Sequence, residues 1–439
     1  VESDSSQILP LRSIGIVGGG QLALMLAEAA ANLGLEVHLQ TPSAEDPAVR
    51  RATSAILAPL EEAGATWQLA QRCGAISFEN EWLPLDPLEP LAEAGVCFLP
   101  GLHALRPLVS KRSQRQLLAD LHLPSPHWCP LEATLVPPPL QGTSPQTGAD
   151  TDAAAAHPPP LPAVAFPPPL PPGAPGPRLP DGFRFPLMAK ASQGGYDGRG
   201  TRTIPDLDAL RELVECVDPA AWILEEMVPF ERELALTACR DRDGNLACFP
   251  LVETHQHQHV CDWVVYPAAV DHSVRAFGRN VAASLLTALD YVGVLTVEFF
   301  WGPRGLQVNE LAPRTHNSAH LTIEAFRHSQ FEQQLRIVAG LPLGLIVPQM
   351  EGALMVNLLG LREGDDDHSA ERTALAKLSG AHLHWYGKRG GGLGRKLGHL
   401  TVALEGKTEE ERQGEVQRRL AEVRAIWPLP EGVCGVESR

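Results

Sequence analysis

The chain has 439 residues, 44% of them hydrophobic and 20% charged, with a formal net charge of −16. That length accommodates about three domains, and the acid surplus excludes a general nucleic-acid binder, which needs Lys and Arg in excess on its binding face. No apolar run of about 18 residues predicts a membrane span, the opening VESDSSQ lacks the layout of a signal peptide, and eight scattered cysteines without a C-x-x-C pair read as reduced thiols of a cytoplasmic protein.

Over residues 13–108, short apolar runs (IGIVG, LEVHLQ, GAISFE, GVCFL) alternate with helical ones such as QLALMLAEAAANLG, which stops at Gly34. This alternation predicts βαβ units around a parallel sheet, a Rossmann-like domain. Gly18-Gly19-Gly20-Gln21-Leu22-Ala23 fits the G-x-G-x-x-A turn that places helix amides on an anion. A dinucleotide reading also needs an acid at the end of the second strand, about 20 residues on. Gln40 and Thr41 stand there instead, which disfavours NAD.

Between residues 136 and 180 lie 16 of the chain's 40 prolines, which predicts a mobile polyproline-rich insertion rather than a packed element. Order resumes with a strand ending in Lys190, followed by the glycine loop Ser192-Gln193-Gly194-Gly195-Tyr196-Asp197-Gly198-Arg199-Gly200. This is no Walker A loop, because no Gly-Lys-Ser/Thr closes it, but its amides can fold over phosphates beside a strand-borne lysine. The run Ala221-Trp222-Ile223-Leu224-Glu225-Glu226-Met227-Val228-Pro229 suits either an adenine-reading hinge or a plain edge strand.

In LTVEFFWGPRGLQVNELAP the turn Gly302-Pro303-Arg304-Gly305 predicts a hairpin. An odd-membered loop sets Glu298 and Glu310 opposite each other on one face, whereas a two-residue loop sets them on opposite faces. Facing carboxylates in apolar strands call for a cation, and their hard oxygens suit Mg²⁺ with nucleotide phosphates. Asn309 adds another oxygen, and Ala312-Pro313-Arg314-Thr315-His316-Asn317-Ser318 follows directly. The alternating His255, His257 and His259 lack Cys or carboxylate partners at ligand spacing and predict an exposed strand or loop. Late in the chain, HWYGKRGGGLGRK concentrates cations suited to a phosphate monoester. The helical stretch GKTEEERQGEVQRRLAEV carries no chemistry.

Taken together, GGGQL, the lysine strand before GGYDGRG, the paired glutamates and VEFF…VNELAPRTHNS resemble the ATP-grasp superfamily. With HWYGK…GRKLGH added, the chain most resembles the N5-carboxyaminoimidazole ribonucleotide synthetase family, over nearly its whole length apart from the first dozen residues and the insertion. The resemblance implies a mixed α/β and α+β fold: a Rossmann-like domain over 1–108, an ATP-grasp domain of two α+β lobes over 109–350, and a small β-rich domain over 351–439. It implies ATP and Mg²⁺ as cofactors, bicarbonate as co-substrate without biotin, small-molecule partners with no nucleic acid or membrane, and a homodimer.

For individual residues, the resemblance places Lys111, Lys190 and the loop residues Gly194, Gly195, Tyr196, Asp197, Gly198, Arg199 and Gly200 on the ATP phosphates. Glu225, Glu226, Met227 and Val228 would line adenine, Glu233 the ribose, and Gln256 and Asn309 would complete the ATP site, although many members carry His where Gln256 aligns. Glu298 and Glu310 would hold Mg²⁺, with Glu310 also facing ATP. The nucleotide substrate falls to Gly20, Gln21, Glu79, Glu81, Arg314, His316, Asn317, Lys388 and Arg395, with the amides of the first glycine turn near the ribose 5-phosphate. Tyr196, Asp197, Arg199, Arg314 and His316 would serve catalysis, Asp197 as base. Competing readings are a formate-using glycinamide ribonucleotide transformylase, a biotin carboxylase, an NAD-dependent oxidoreductase, and a non-catalytic binding protein.

Overall fold

A computed structural model describes residues 11–135, 177–194, 200–364, 366–389 and 392–430. The proline-rich stretch up to residue 176 lies outside them, as do Gly195, Tyr196, Asp197, Gly198 and Arg199. The chain divides into two compact units, one formed from the described residues of 11–125 and 228–430, the other from those of 126–194 and 200–227.

In the first unit, apolar runs make the parallel strands β1 (Ser13–Val17), β2 (Glu36–Thr41), β3 (Ser54–Leu57) and β4 (Ile76–Phe78), in the order β3-β2-β1-β4. The helix Gln21–Leu33 follows β1 and ends at Gly34 in the left-handed conformation, φ 66°. GVCFL, expected as a strand, forms only a bridge from Phe98 to Ile76. The run meets β4 along one edge, where Ile76 and Leu99 supply the backbone donors.

The second unit is a four-stranded antiparallel sheet of β5 (Trp128–Pro130), β6 (Leu187–Ala191), β7 (Thr201–Ile204) and β8 (Trp222–Glu226), ordered β5-β8-β6-β7. The helix Leu207–Cys216 buries Leu210, Leu213 and Val214 in one cluster with Leu187, Ala189 and Leu224 of that sheet.

The first unit's second sheet holds β9 (Arg232–Arg240), β10 (Leu246–Cys248), β11 (Val252–His257), β12 (Val260–Tyr266), β13 (Gly293–Gly302), β14 (Gly305–Ala312), β15 (Gly352–Leu359), β16 (Ala381–Trp385) and β17 (Lys396–Leu404). Its order is β14-β13-β9-β11-β12-β15-β17-β16, with β10 on β9. Because β15 pairs with β12, the β-rich C-terminal strands continue the central sheet rather than building a separate one. The helix Glu409–Ile426 starts with a capping box, Thr408 and Glu411 satisfying each other's backbone N–H groups.

Two apolar clusters join the Rossmann-like part to the rest of the first unit. Phe78, Ile76 and Leu108 share a core with Leu236, Leu285, Val297 and Leu311, while Leu24 and Leu26 share another with Phe331, Leu335 and Val338. These joints fix the C-terminal ends of β1 and β4 relative to the β13–β14 hairpin.

Candidate active site

In the second unit, Met188 pairs with Glu225, so Lys190, two residues on, lies on the same sheet face as that glutamate. Lys190 Nζ stands 2.7 Å from Glu225 Oε2, with side chains 11% and 2% exposed. Glu225, expected against adenine, thus turns its carboxylate to the lysine expected on the phosphates. Glu226 Oε1 accepts from the His127 amide at 2.9 Å, and Met227 is exposed. Gly194 and Gly200 take left-handed φ values of 74° and 76° at the two described ends of the glycine loop.

The hairpin of the first unit resolves the register question. Gly302 pairs with Gly305, leaving the two-residue loop that would part Glu298 from Glu310. Yet Glu298 pairs with Glu310, because the register slips between Phe299, opposite Val308, and Glu298. Asn309 is the extra residue, a β-bulge that turns Glu310 back onto the face of Glu298. The bulge is pinned from the helix Lys111–Asp120: the buried Arg115 donates through Nη2 to the Asn309 carbonyl at 2.6 Å. Gln114 closes a reciprocal pair with the backbone of Leu311.

The same helix opens with Lys111 after its cap Ser110, whose Oγ accepts from the Ser113 amide. A lysine in the first turn opposes the helix dipole, and Glu310 compensates, its Oε1 standing 2.7 Å from Lys111 Nζ. Glu233 pairs with Phe300 and so joins Glu298 on this face. Gln256 Nε2 donates to Glu233 at 3.5 Å. Burial first, then the charges of Glu310 and Glu233, push the Glu298 carboxyl up to about 7, against the pull of Lys111 and Lys396. That repulsion, offset only in part by the lysines, is a place for a divalent cation, and two carboxylates joined by the phosphate oxygens of a nucleotide would be donors that fit Mg²⁺. Among the described residues no three His, Cys, Asp or Glu side chains converge as a protein-only metal cage.

Beyond β14, Arg314 makes a two-point contact with Glu81, Nε to Oε2 at 2.5 Å and Nη2 to Oε1 at 3.3 Å. His316 Nε2 lies 3.4 Å from Glu298 Oε1, and burial, then Arg314 and Lys396, hold its pKa well below the usual value, so it is neutral at pH 7. Asn317, assigned to the substrate by the resemblance, is held by a neighbouring amide. Its amide exchanges hydrogen bonds with that of Asn357, at 2.9 and 2.7 Å, inside the core.

The first glycine turn holds a carboxylate of the chain itself. Strands β1 and β4 are parallel neighbours, Val17 opposite Phe78, so the residues just past each strand lie side by side. Glu79 therefore sits on the turn: its carboxylate accepts from Gly20 N at 2.7 Å, Leu22 N at 3.1 Å and Ala23 N at 3.4 Å. A Cβ on Gly20 would stand 2.5 Å from Glu79 Oε1, so a larger residue there would push the carboxylate off the amides. Gln40, where a dinucleotide site needs an acid, is fully buried and ties its amide to Pro59 O, Glu62 O and Thr66.

Next to this turn, Lys388 Nζ donates to Gln21 Oε1 at 2.5 Å and to Lys396 O at 2.9 Å. Arg395 donates to the Arg389 carbonyl at 2.9 Å. Thus Gln21, Glu79, Glu81, Glu233, Glu298, Glu310, Lys111, Arg314, His316 and Lys388 gather in one unit from segments distant in sequence. Arg115 and Glu253 were not singled out from the sequence, and Lys396 was named only as one cation of the late basic loop. Lys396 acts on Glu298 and His316 through its charge, and its place in the basic GRK run was the available signal. Arg115 carried none, being one cation in an ordinary helical pattern. Of the three alternating histidines, His255 stacks on Trp263 and meets Glu253 at 2.9 Å, and a bulge after it breaks the alternation.

Fold and site are those of an ATP-grasp protein: residues 178–331 match the ATP-grasp domain family. Residues 11–107 match the ribonucleotide synthetase preATP-grasp domain, and residues 353–413 the phosphoribosylaminoimidazole carboxylase C-terminal domain. The N5-carboxyaminoimidazole ribonucleotide synthase of Synechococcus elongatus is 42% identical over 424 residues, 97% of this chain and 98% of that protein. The crystal structure of the synthetase from Thermus thermophilus is similar with a TM-score of 0.74 at 30% identity, covering 94% of this chain and 98% of that one. The Aspergillus clavatus enzyme, in complex with ADP and 5-aminoimidazole ribonucleotide, gives a TM-score of 0.74 at 25% identity, covering 94% and 99%. The chain belongs to the N5-carboxyaminoimidazole ribonucleotide synthase family and is an ATP-grasp ligase.

Proposed function

We propose that the protein carboxylates 5-aminoimidazole ribonucleotide with bicarbonate, consuming ATP and releasing ADP and phosphate, to give N5-carboxyaminoimidazole ribonucleotide. The observation that carries this reading is the carboxylate pair Glu298–Glu310, with Lys111 at 2.7 Å from Glu310, continued through His316 and Arg314 to Glu81 in a member of this family.

A bicarbonate oxygen attacks the γ-phosphorus of ATP in line, ADP leaves, and carboxyphosphate forms. Lys111 and Lys190 supply fixed positive charge to the phosphates. Glu298 and Glu310 are the residues that would hold Mg²⁺, which supplies charge neutralisation on the transferring phosphoryl group. The exocyclic amine of the nucleotide then takes the carboxyl group, phosphate leaves and the amine loses a proton, for which Asp197 is the assigned base. Neutral His316 serves as a hydrogen-bonding group rather than a cation. Lys388 and Arg395 are assigned to the substrate phosphate, and Gln21 to its immediate surroundings.

No helix among the described residues is long and apolar enough to cross a membrane, and the described cysteines are free thiols. An assignment to the cytoplasm is a further part of this proposal. The homodimer belongs to the same proposal, and sedimentation equilibrium tests it. The activity is tested by following ADP release with MgATP, bicarbonate and aminoimidazole ribonucleotide, omitting each in turn. Release that needs all three is expected. Release that instead needs formate and glycinamide ribonucleotide overturns the reading.

A further inference from the structure

The short segment that presents Lys388 is held from two sides. Tyr386, 1% exposed, points its hydroxyl inward to His399 Nδ1 at 2.8 Å. His399 is itself fully buried on β17, and burial, followed by the charges of His384 and His320, keeps it neutral, so it meets the hydroxyl as an uncharged partner. From the opposite side, Arg50, the last residue of the 3-10 turn Pro47–Arg50 in the Rossmann-like part, donates through Nη2 to the Tyr386 carbonyl at 2.8 Å. Gly387 follows with a left-handed φ of 68°, and a Cβ there would collide with Arg50 Nη1. Lys388 emerges from this point, its Nζ 5.5 Å from the centre of the Tyr386 ring and bonded to Gln21.

A lysine loses conformational freedom on binding an anion, so holding its backbone through Tyr386 and its amine against Gln21 in advance raises affinity without a new contact. We propose that Tyr386, clamped between Arg50 and His399, is a positioning residue that aims Lys388 at a phosphate monoester, the phosphate of the nucleotide substrate. This rests on the function proposed above. None of the three residues needs to touch the substrate, and Arg50 reaches the loop from a part of the chain 336 positions away.

The test compares Tyr386→Phe, Arg50→Ala and Arg50→Lys in the full-length protein by steady-state kinetics. Losing one such hydrogen bond, transmitted fully to phosphate binding, raises KM for aminoimidazole ribonucleotide by about fivefold. Tyr386→Phe and Arg50→Ala are expected to show that rise, with kcat and KM for ATP within about twofold of wild type. Arg50→Lys, which keeps a donor, is expected to recover most of it. If the variants lower the melting temperature but leave KM for the nucleotide unchanged, or depress kcat without changing that KM, the positioning role is overturned. Wild-type protein showing no nucleotide-dependent ADP release would overturn the functional reading, a result distinct from active wild type with indifferent variants.

Discussion

Glu298 faces Glu310 across a hairpin whose two-residue loop would otherwise set them on opposite faces, because Asn309 is inserted as a bulge and held by Arg115. Glu310→Gln keeps the bulge and the shape of the side chain but removes the second carboxylate from that face. The expected result is a folded protein, by circular dichroism, with MgATP-dependent ADP release reduced by at least about 100-fold. Retained activity would disconnect the carboxylate pair from the chemistry.

Arg115 never reaches the carboxylates, yet its replacement tests the same device. Arg115→Met leaves the carbonyls of Val308 and Asn309 without their buried donor, at a cost of about 2 kcal/mol. Urea denaturation should register that loss. The Mg²⁺ concentration giving half-maximal activity should rise as well, since Glu310 is no longer held in register.

The Glu298 carboxyl titrates near 7 in the folded protein against 4.5 ordinarily. Between these values the folded state binds more protons at this group than the unfolded one, so the contribution of Glu298 to stability is full below about 4.5 and is lost as pH rises through 7. Without nucleotide and metal, the melting temperature should decline across this window, and less so in Glu298→Gln. Saturating MgATP should remove the difference, because a bound cation stabilises the ionised carboxylate.

Lys190 and Glu225 form a buried pair in the second unit. Lys190→Ala leaves a carboxylate buried without its cation and should destabilise that unit by about 3 kcal/mol. Lys190→Met with Glu225→Leu should recover much of the stability but not the affinity for ATP. Limited proteolysis of the unit and equilibrium binding of ATP separate the two effects.

Glu79→Ala removes the acceptor of three amides at the start of the helix Gln21–Leu33. By analogy with helix capping, about 1–2 kcal/mol of stability should be lost, measurable by urea denaturation. A fully stable variant would mean that the amides find another acceptor.

Much of the fold was legible because strand and helix periods are local properties. IGIVG followed by the alanine-rich helix ending at Gly34, and the apolar strands around Glu298 and Glu310, declared themselves within a dozen residues each. GVCFL misled because a short apolar run does not reveal whether a partner strand borders it along its whole length. The site was legible in its residue types, since paired acids, a strand-borne lysine and a basic glycine loop are each unusual in their surroundings.

The sequence by itself determined which charges this protein carries and roughly which elements carry them, since periodicity, glycine and proline act over neighbouring residues. The tertiary structure alone decided where those charges point. The bulge at Asn309 came from a helix seated almost 200 positions earlier, Glu79 reached the glycine turn because β1 and β4 became neighbours, and Asn317 was drawn inward by Asn357. Each is a contact between distant segments, and such contacts depend on packing that no local pattern encodes.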